Sequence, residues 1–129
     1  AIHNYKAELD TKRISVYCGG IKCFILIEDI IFAEVLGRTL FIHTVQGNIY
    51  KTNCSLKKFS EKLPSWFVRT HNSYIVNKRQ VSVLEYPECI LRNGERIPVS
   101  RHYRQEVCRK LSVQNVIYDN RMTSYDINM

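Results

Sequence analysis

No CxxC pair occurs among the five cysteines of this 129-residue chain, and no two of its four histidines stand three to five residues apart. Zinc ligation needs clustered donors, so the spacing gives a metal site little support. Cys18, Cys23, Cys54, Cys89 and Cys108 are odd in number and scattered, which is how small buried hydrophobes are used in a reducing compartment. GxGxxG and GxxxxGK[ST] are both missing, and Gly19-Gly20 stands alone, so no phosphate cradle is encoded. Carboxylates paired for acid–base work are missing too, since Glu28-Asp29 reads as a turn or helix start. Cys54 or Cys89 with His43, His71 or His102 are the only nucleophile and base candidates, and no spacing joins them. The expectation is a protein that is not an enzyme, with no cofactor and no metal.

Long apolar runs are lacking as well. Nowhere do 18 apolar residues follow one another, and AIHNYKAELDTKR has no apolar core of a signal peptide. A cytoplasmic chain with no membrane partner is expected, in which the glycosylation-like Asn53-Cys54-Ser55 is accidental. The sequence starts on Ala1 without an initiator Met, as a piece of something longer would.

Acidic residues are the next shortage: 12 Asp and Glu face 19 Lys and Arg, giving +7 and a pI near 9.3. Apolar residues make up 45% and charged residues 24%, ordinary for one globular domain with its own core, so overall disorder is excluded. Residues 1–66 hold nine basic and six acidic side chains (+3), residues 67–111 nine and four (+5), and residues 112–129 one and two (−1). An excess of this sign points to an anionic partner, most simply nucleic acid, because each neutralised phosphate releases a counterion. A basic module that meets an acidic protein partner is the alternative.

What remains is rich in short strands. Residues 13–18 and 21–27 flank Gly19-Gly20, a two-residue link in which both residues can take positive φ, so a hairpin is predicted. Strands follow at 30–35, 40–44 and 48–52, with turns at Leu36-Gly37-Arg38-Thr39 and Val45-Gln46-Gly47. Leu56, Phe59 and Leu63 recur at helical spacing between a cap at Asn53 or Ser55 and a stop at Pro64. Further strands are predicted at 81–86, 89–92 and 95–99, with turns at Pro87-Glu88 and, of type I′, at Asn93-Gly94. Ser100 should cap a second helix from about 101 to 111, with Tyr103, Val107 and Leu111 on one face. Eight or so strands at this length call for small packed or rolled sheets, a mostly β class with one or two short helices.

The basic side chains Arg69, Lys78, Arg79, Arg101, Arg104, Arg109 and Lys110 gather around two segment ends. His71, Asn72 and Ser73 break the run FVRTHNSYIVNKRQ, which reads as a strand that leaves the core and returns through Tyr74, Ile75 and Val76. Asn and Arg are the residue types that read adenine and guanine in a major groove, although Asn72 and Ser73 equally suit a turn. Arg101, His102 and Arg104 in a first helical turn oppose the helix dipole, a placement that an anionic neighbour would offset.

The run Phe67-Val68-Arg69-Thr70-His71-Asn72-Ser73-Tyr74-Ile75-Val76-Asn77, followed by Asn93-Gly94-Glu95-Arg96-Ile97-Pro98-Val99-Ser100-Arg101-His102-Tyr103-Arg104, resembles the LytTR family of DNA-binding domains. Asp29-Ile30-Ile31-Phe32-Ala33-Glu34 is similar to the family's early D-I-x-x-x-E segment. Three motifs in order over residues 13–111 make the likeness specific, leaving 1–12 as a linker or extension and 112–129 as a C-terminal extension. The resemblance implies small antiparallel sheets in an elongated β fold, serving as the effector domain of a bacterial two-component response regulator. It also implies double-stranded promoter DNA as partner, read in successive major grooves through loops, often at direct repeats. A receiver or sensor domain would lie outside this chain. A monomer in isolation is expected, with pairing on DNA left open. By motif position the contacts would be Asn72 and Arg101, with a third in the loop holding Arg38 and Thr39; Arg69, His71, Ser73, Lys78, Arg79, Ser100, His102 and Arg104 complete the expected DNA-binding set.

Overall fold

The computed structural model describes residues 12–112, and the expected extensions therefore lie almost wholly outside the described residues. Ten strands and two short α-helices alternate with three 3-10 turns among the described residues, in two compact units divided after Pro64. The mostly β class is as the patterning requires.

In the first unit β1 (Arg13–Cys18) and β2 (Ile21–Leu26) form the expected hairpin. Gly19 and Gly20 take φ of +60° and +84°, a pair of positive values open to glycine at no steric cost. Ile14, Val16 and Ile25 turn inward, while Tyr17 and Phe24 remain exposed on the opposite face with the Lys22 ammonium near both rings. A 3-10 turn over Ile27–Asp29 leads into β3 (Ile30–Leu36), β4 (Thr39–Thr44) and β5 (Ile49–Thr52), an antiparallel meander. Alternation along β4 buries Leu40 and Ile42. The β3–β4 link is the two-residue Gly37-Arg38, with Gly37 at φ +64° and Arg38 negative, the pattern of a type II′ turn.

One turn and a half of helix, α1 (Leu56–Ser60), completes the unit. Of the two expected caps, Ser55 is the one used: its Oγ accepts the Lys58 N–H at 3.1 Å. A five-residue helix cannot hold itself together in water, so tertiary burial of Leu56 and Phe59 must hold it.

The second unit differs more from expectation. Residues 67–76 are not one strand but a hairpin of β6 (Phe67–His71) and β7 (Tyr74–Asn77), with Asn72-Ser73 at its tip. Alternation alone does not reveal the reversal, because both arms supply apolar residues to the core: Phe67, Val68, Ile75 and Val76 are all buried. Asn77, also buried, accepts the Arg79 N–H on Oδ1 at 2.8 Å and so starts a 3-10 turn, Lys78–Gln80.

The strands β8 (Val81–Glu85), β9 (Glu88–Leu91) and β10 (Arg96–Pro98) make a three-stranded antiparallel sheet. Its first turn is Tyr86-Pro87, with a cis peptide between them, one residue earlier than expected because Glu88 already pairs with Glu85. The second is not type I′, which needs two positive φ values. Among the described residues only glycines have positive φ, so Asn93 is excluded, and Gly94 at +90° closes a three-residue loop with the Leu91 N–H bonded to the Glu95 carbonyl. Val45-Gln46-Gly47 repeats that design between Thr44 and Asn48.

The expected helix from 101 begins instead as a 3-10 turn, Arg101–Tyr103, and becomes α2 only over Arg104–Ser112. Val107 and Leu111 are buried on its inner face. Ser100 occupies the cap position, but its side chain accepts no capping bond. The Tyr103 N–H, which a capping hydroxyl would have taken, is already bonded to the Ser100 carbonyl at 3.0 Å in the tight turn. Among the described residues no helix is long and apolar enough to cross a membrane.

Candidate nucleic-acid interface

Most of the expected contact residues sit on turns, where side chains project from a rigid frame. In the first unit Arg38 is exposed at the β3–β4 turn and Thr39 is half-buried beside it as the first residue of β4. In the second unit the β6–β7 tip and the turn Arg101–Tyr103 are brought together, since the Ser100 N–H donates to the Thr70 carbonyl at 2.8 Å.

The tip is tightly organised. His71 Nδ1 accepts the Ser73 N–H at 3.0 Å, which orients the ring, and the ring meets Tyr74 edge-on at 5.7 Å. Arg69 folds its guanidinium back over the turn: Nε–H donates to the His71 carbonyl at 2.9 Å and Nη2–H to the Asn72 carbonyl at 2.8 Å. The same guanidinium lies 5.6 Å from the ring centre of Tyr103. Asn72 itself is exposed, with its Oδ1 3.4 Å from the Tyr103 hydroxyl. Arg101 and His102 are exposed next in the chain, the His102 ring edge-on to Tyr103 at 4.8 Å. Asn72, Arg101 and His102 therefore remain accessible, whereas Arg69 is engaged in holding the turn.

Lys78 and Arg79 stand at the far end of β7, separated from the tip by a four-residue strand of about 13 Å. Arg79 stacks on Trp66 with its guanidinium carbon 4.0 Å from the ring centre, and its carbonyl accepts the Arg92 Nε–H at 2.9 Å. This second basic group, with Arg92 added by the fold, suits a phosphate backbone better than a base edge. Arg104 lies over the Tyr86 ring at 4.5 Å. Arg109 and Lys110 face Glu106 on α2, at 2.6 Å and 3.8 Å, and the Arg109 hydrogen bond holds the Glu106 carboxyl below its ordinary pKa. Their positive charge is thus partly balanced within the helix.

Of the two candidate thiols, Cys89 is poorly placed for nucleophilic chemistry. Cys89 is buried, and that burial pushes its thiol up to about 12, far from the thiolate a nucleophile requires. Among the described residues no group of three or more His, Cys, Asp or Glu side chains converges as a metal site would require.

Tyr103, Trp66 and Arg92 are the members of these two clusters that patterning does not mark as functional. Tyr103 falls on the apolar helical spacing with Val107 and Leu111, so its partnership with Asn72 is invisible until the 3-10 turn rotates it toward the hairpin tip.

The model of the LytTr DNA-binding domain matches residues 22–112. Sensory transduction protein LytT of Enterococcus faecalis is 35% identical over 92 residues, which cover 67% of this chain and 38% of that protein. An uncharacterized response regulatory protein of Yersinia pestis is 38% identical over 77 residues, covering 56% of this chain and 31% of that protein. The chain thus spans well under half the length of these curated relatives. In fold it is similar to the LytTr DNA-binding domain of a Bacillus cereus methyl-accepting/DNA response regulator, with a TM-score of 0.66 at 23% identity over 77% of this chain and 95% of that one. The motifs, the strand-rich fold and the family match agree, and the chain belongs to the LytTr DNA-binding domain family.

Proposed function

We propose that this chain is the effector domain of a cytoplasmic bacterial response regulator, that it binds promoter DNA sequence-specifically, and that it reads successive major grooves at direct repeats through turn residues. The observation that carries this reading is the hairpin tip, where Arg69 fixes the backbone of His71 and Asn72 while Asn72 and Arg101 stay exposed. A pre-ordered loop loses little entropy on binding, so its side chains can discriminate bases. In this reading Asn72 and Arg101 meet base edges, with Arg38 as the corresponding contact of the first unit. Thr39, Ser73, Ser100, His102 and Arg104 line or support these turns. Lys78 and Arg79, with Arg92, take phosphates. Arg69 and His71 contribute by shaping the tip. A receiver or sensor domain elsewhere in a longer polypeptide would supply the signal, in keeping with the length of the relatives.

Selection of bound duplexes from a random pool tests this reading. The expected outcome is a short consensus recurring as a direct repeat at a spacing near a whole number of helical turns, about 10–10.5 base pairs each. A pool that stays random after enrichment would contradict it and favour an acidic protein partner.

A further inference from the structure

We infer that Tyr103 sets which end of the Asn72 side-chain amide faces DNA, and so restricts the bases that Asn72 accepts. The inference rests on the proposed DNA reading and adds a specificity-determining residue that itself need touch no base.

An asparagine amide has two unlike ends, a carbonyl that accepts and an NH2 that donates, and a half-turn about its last torsion exchanges them. On an open loop the two orientations differ little in energy, and such a side chain accepts donor and acceptor base edges alike. At this tip the backbone of Asn72 is already fixed, with its carbonyl on Arg69 Nη2 at 2.8 Å and the next residue's N–H on His71 Nδ1 at 3.0 Å. What is left to settle is the amide. The Tyr103 hydroxyl, 3.4 Å from Oδ1, donates to the carbonyl end, which leaves the NH2 end as the one available to a base. The tyrosine is itself held, with the Arg69 guanidinium over its ring at 5.6 Å and the His102 ring edge-on at 4.8 Å. Arg69 therefore orders both the backbone that carries Asn72 and the ring that orients it.

An NH2 group requires an acceptor on the base. In the major groove guanine offers N7 and O6, adenine N7 and thymine O4, whereas cytosine offers only its N4 donor. Cytosine is the base that this arrangement excludes.

The test is to select duplexes from one random pool with the unaltered protein, Tyr103→Phe, Asn72→Ala and the double variant. Phenylalanine keeps the ring beneath Arg69 and removes only the hydroxyl. The unaltered protein is expected to disfavour cytosine by about tenfold at one position, the size of a good base contact. Asn72→Ala should lose preference at that position alone. Tyr103→Phe should admit cytosine there to within roughly threefold of the best base, with other positions unchanged. The double variant should match Asn72→Ala, because without the amide there is nothing for the hydroxyl to orient. A consensus from the unaltered protein with an identical profile from Tyr103→Phe would overturn this inference alone. So would a Tyr103→Phe profile weakened equally at every position, which is the mark of a merely structural role. Absence of any consensus from the unaltered protein would overturn the DNA reading, and this inference with it.

Discussion

Replacing Arg101 with alanine is expected to weaken binding to the selected duplex by ~1–3 kcal/mol while changing affinity for random DNA by no more than one phosphate contact would. The asymmetry follows from placement: Arg101 is exposed on a 3-10 turn tied to the hairpin tip by the Ser100–Thr70 hydrogen bond. Lys78→Ala and Arg79→Ala should behave in the opposite way. Each should lower affinity for all duplexes alike and make the plot of log K against log salt shallower by about one, the signature of one phosphate contact. Arg79→Ala also leaves Trp66 without its stacked guanidinium, so the same titration should be run on Lys78→Ala as the cleaner variant. Equal losses on specific and random DNA for Arg101→Ala would remove it from base reading and place it with the phosphate contacts.

Phe59→Ala is expected to cost about 3–5 kcal/mol of stability, the range for deleting a fully buried aromatic side chain. Phe59 has no exposed surface, and the five-residue α1 that carries it depends on that contact to remain helical. Domains of this size have only about 5–15 kcal/mol in total, so the variant should unfold at a much lower urea concentration. Measured by urea denaturation, a loss below about 1 kcal/mol would show that the site refills and that α1 is not anchored through this ring.

How much of this was legible in the residues depends on whether the cause is local. Gly19-Gly20 announces its hairpin because positive φ is a property of glycine itself, and Ser55 caps α1 because a hydroxyl three residues from an N–H needs no distant partner. Alternation locates β4 because one face of that strand is buried. Asn93-Gly94 misleads because the same dipeptide fits a two-residue or a three-residue loop, and the register of β9 against β10 chooses the second. Residues 67–76 mislead for a related reason, since a hairpin with both arms in the core has the apolar content of one interrupted strand.

The candidate turns were legible in position more than in the part each side chain plays there. Motif order marks Asn72 and Arg101, and the structure leaves both exposed. Charge alone does not say where a guanidinium goes: Arg69 turns back onto the carbonyls two and three residues ahead, and Arg109 pairs with Glu106 one turn away. Tyr103 was hidden by its spacing, which suits a helix face as well as it suits a tyrosine aimed at the hairpin tip.

The most direct measurement is a competition titration at physiological salt between the selected duplex and a scrambled duplex of equal length and composition. A ratio of affinities of about 10³ or more in favour of the selected duplex is expected, the range of specific DNA-binding domains. A ratio near one, with the same salt dependence on both duplexes, would contradict sequence-specific recognition and leave only the attraction of a basic surface to phosphate.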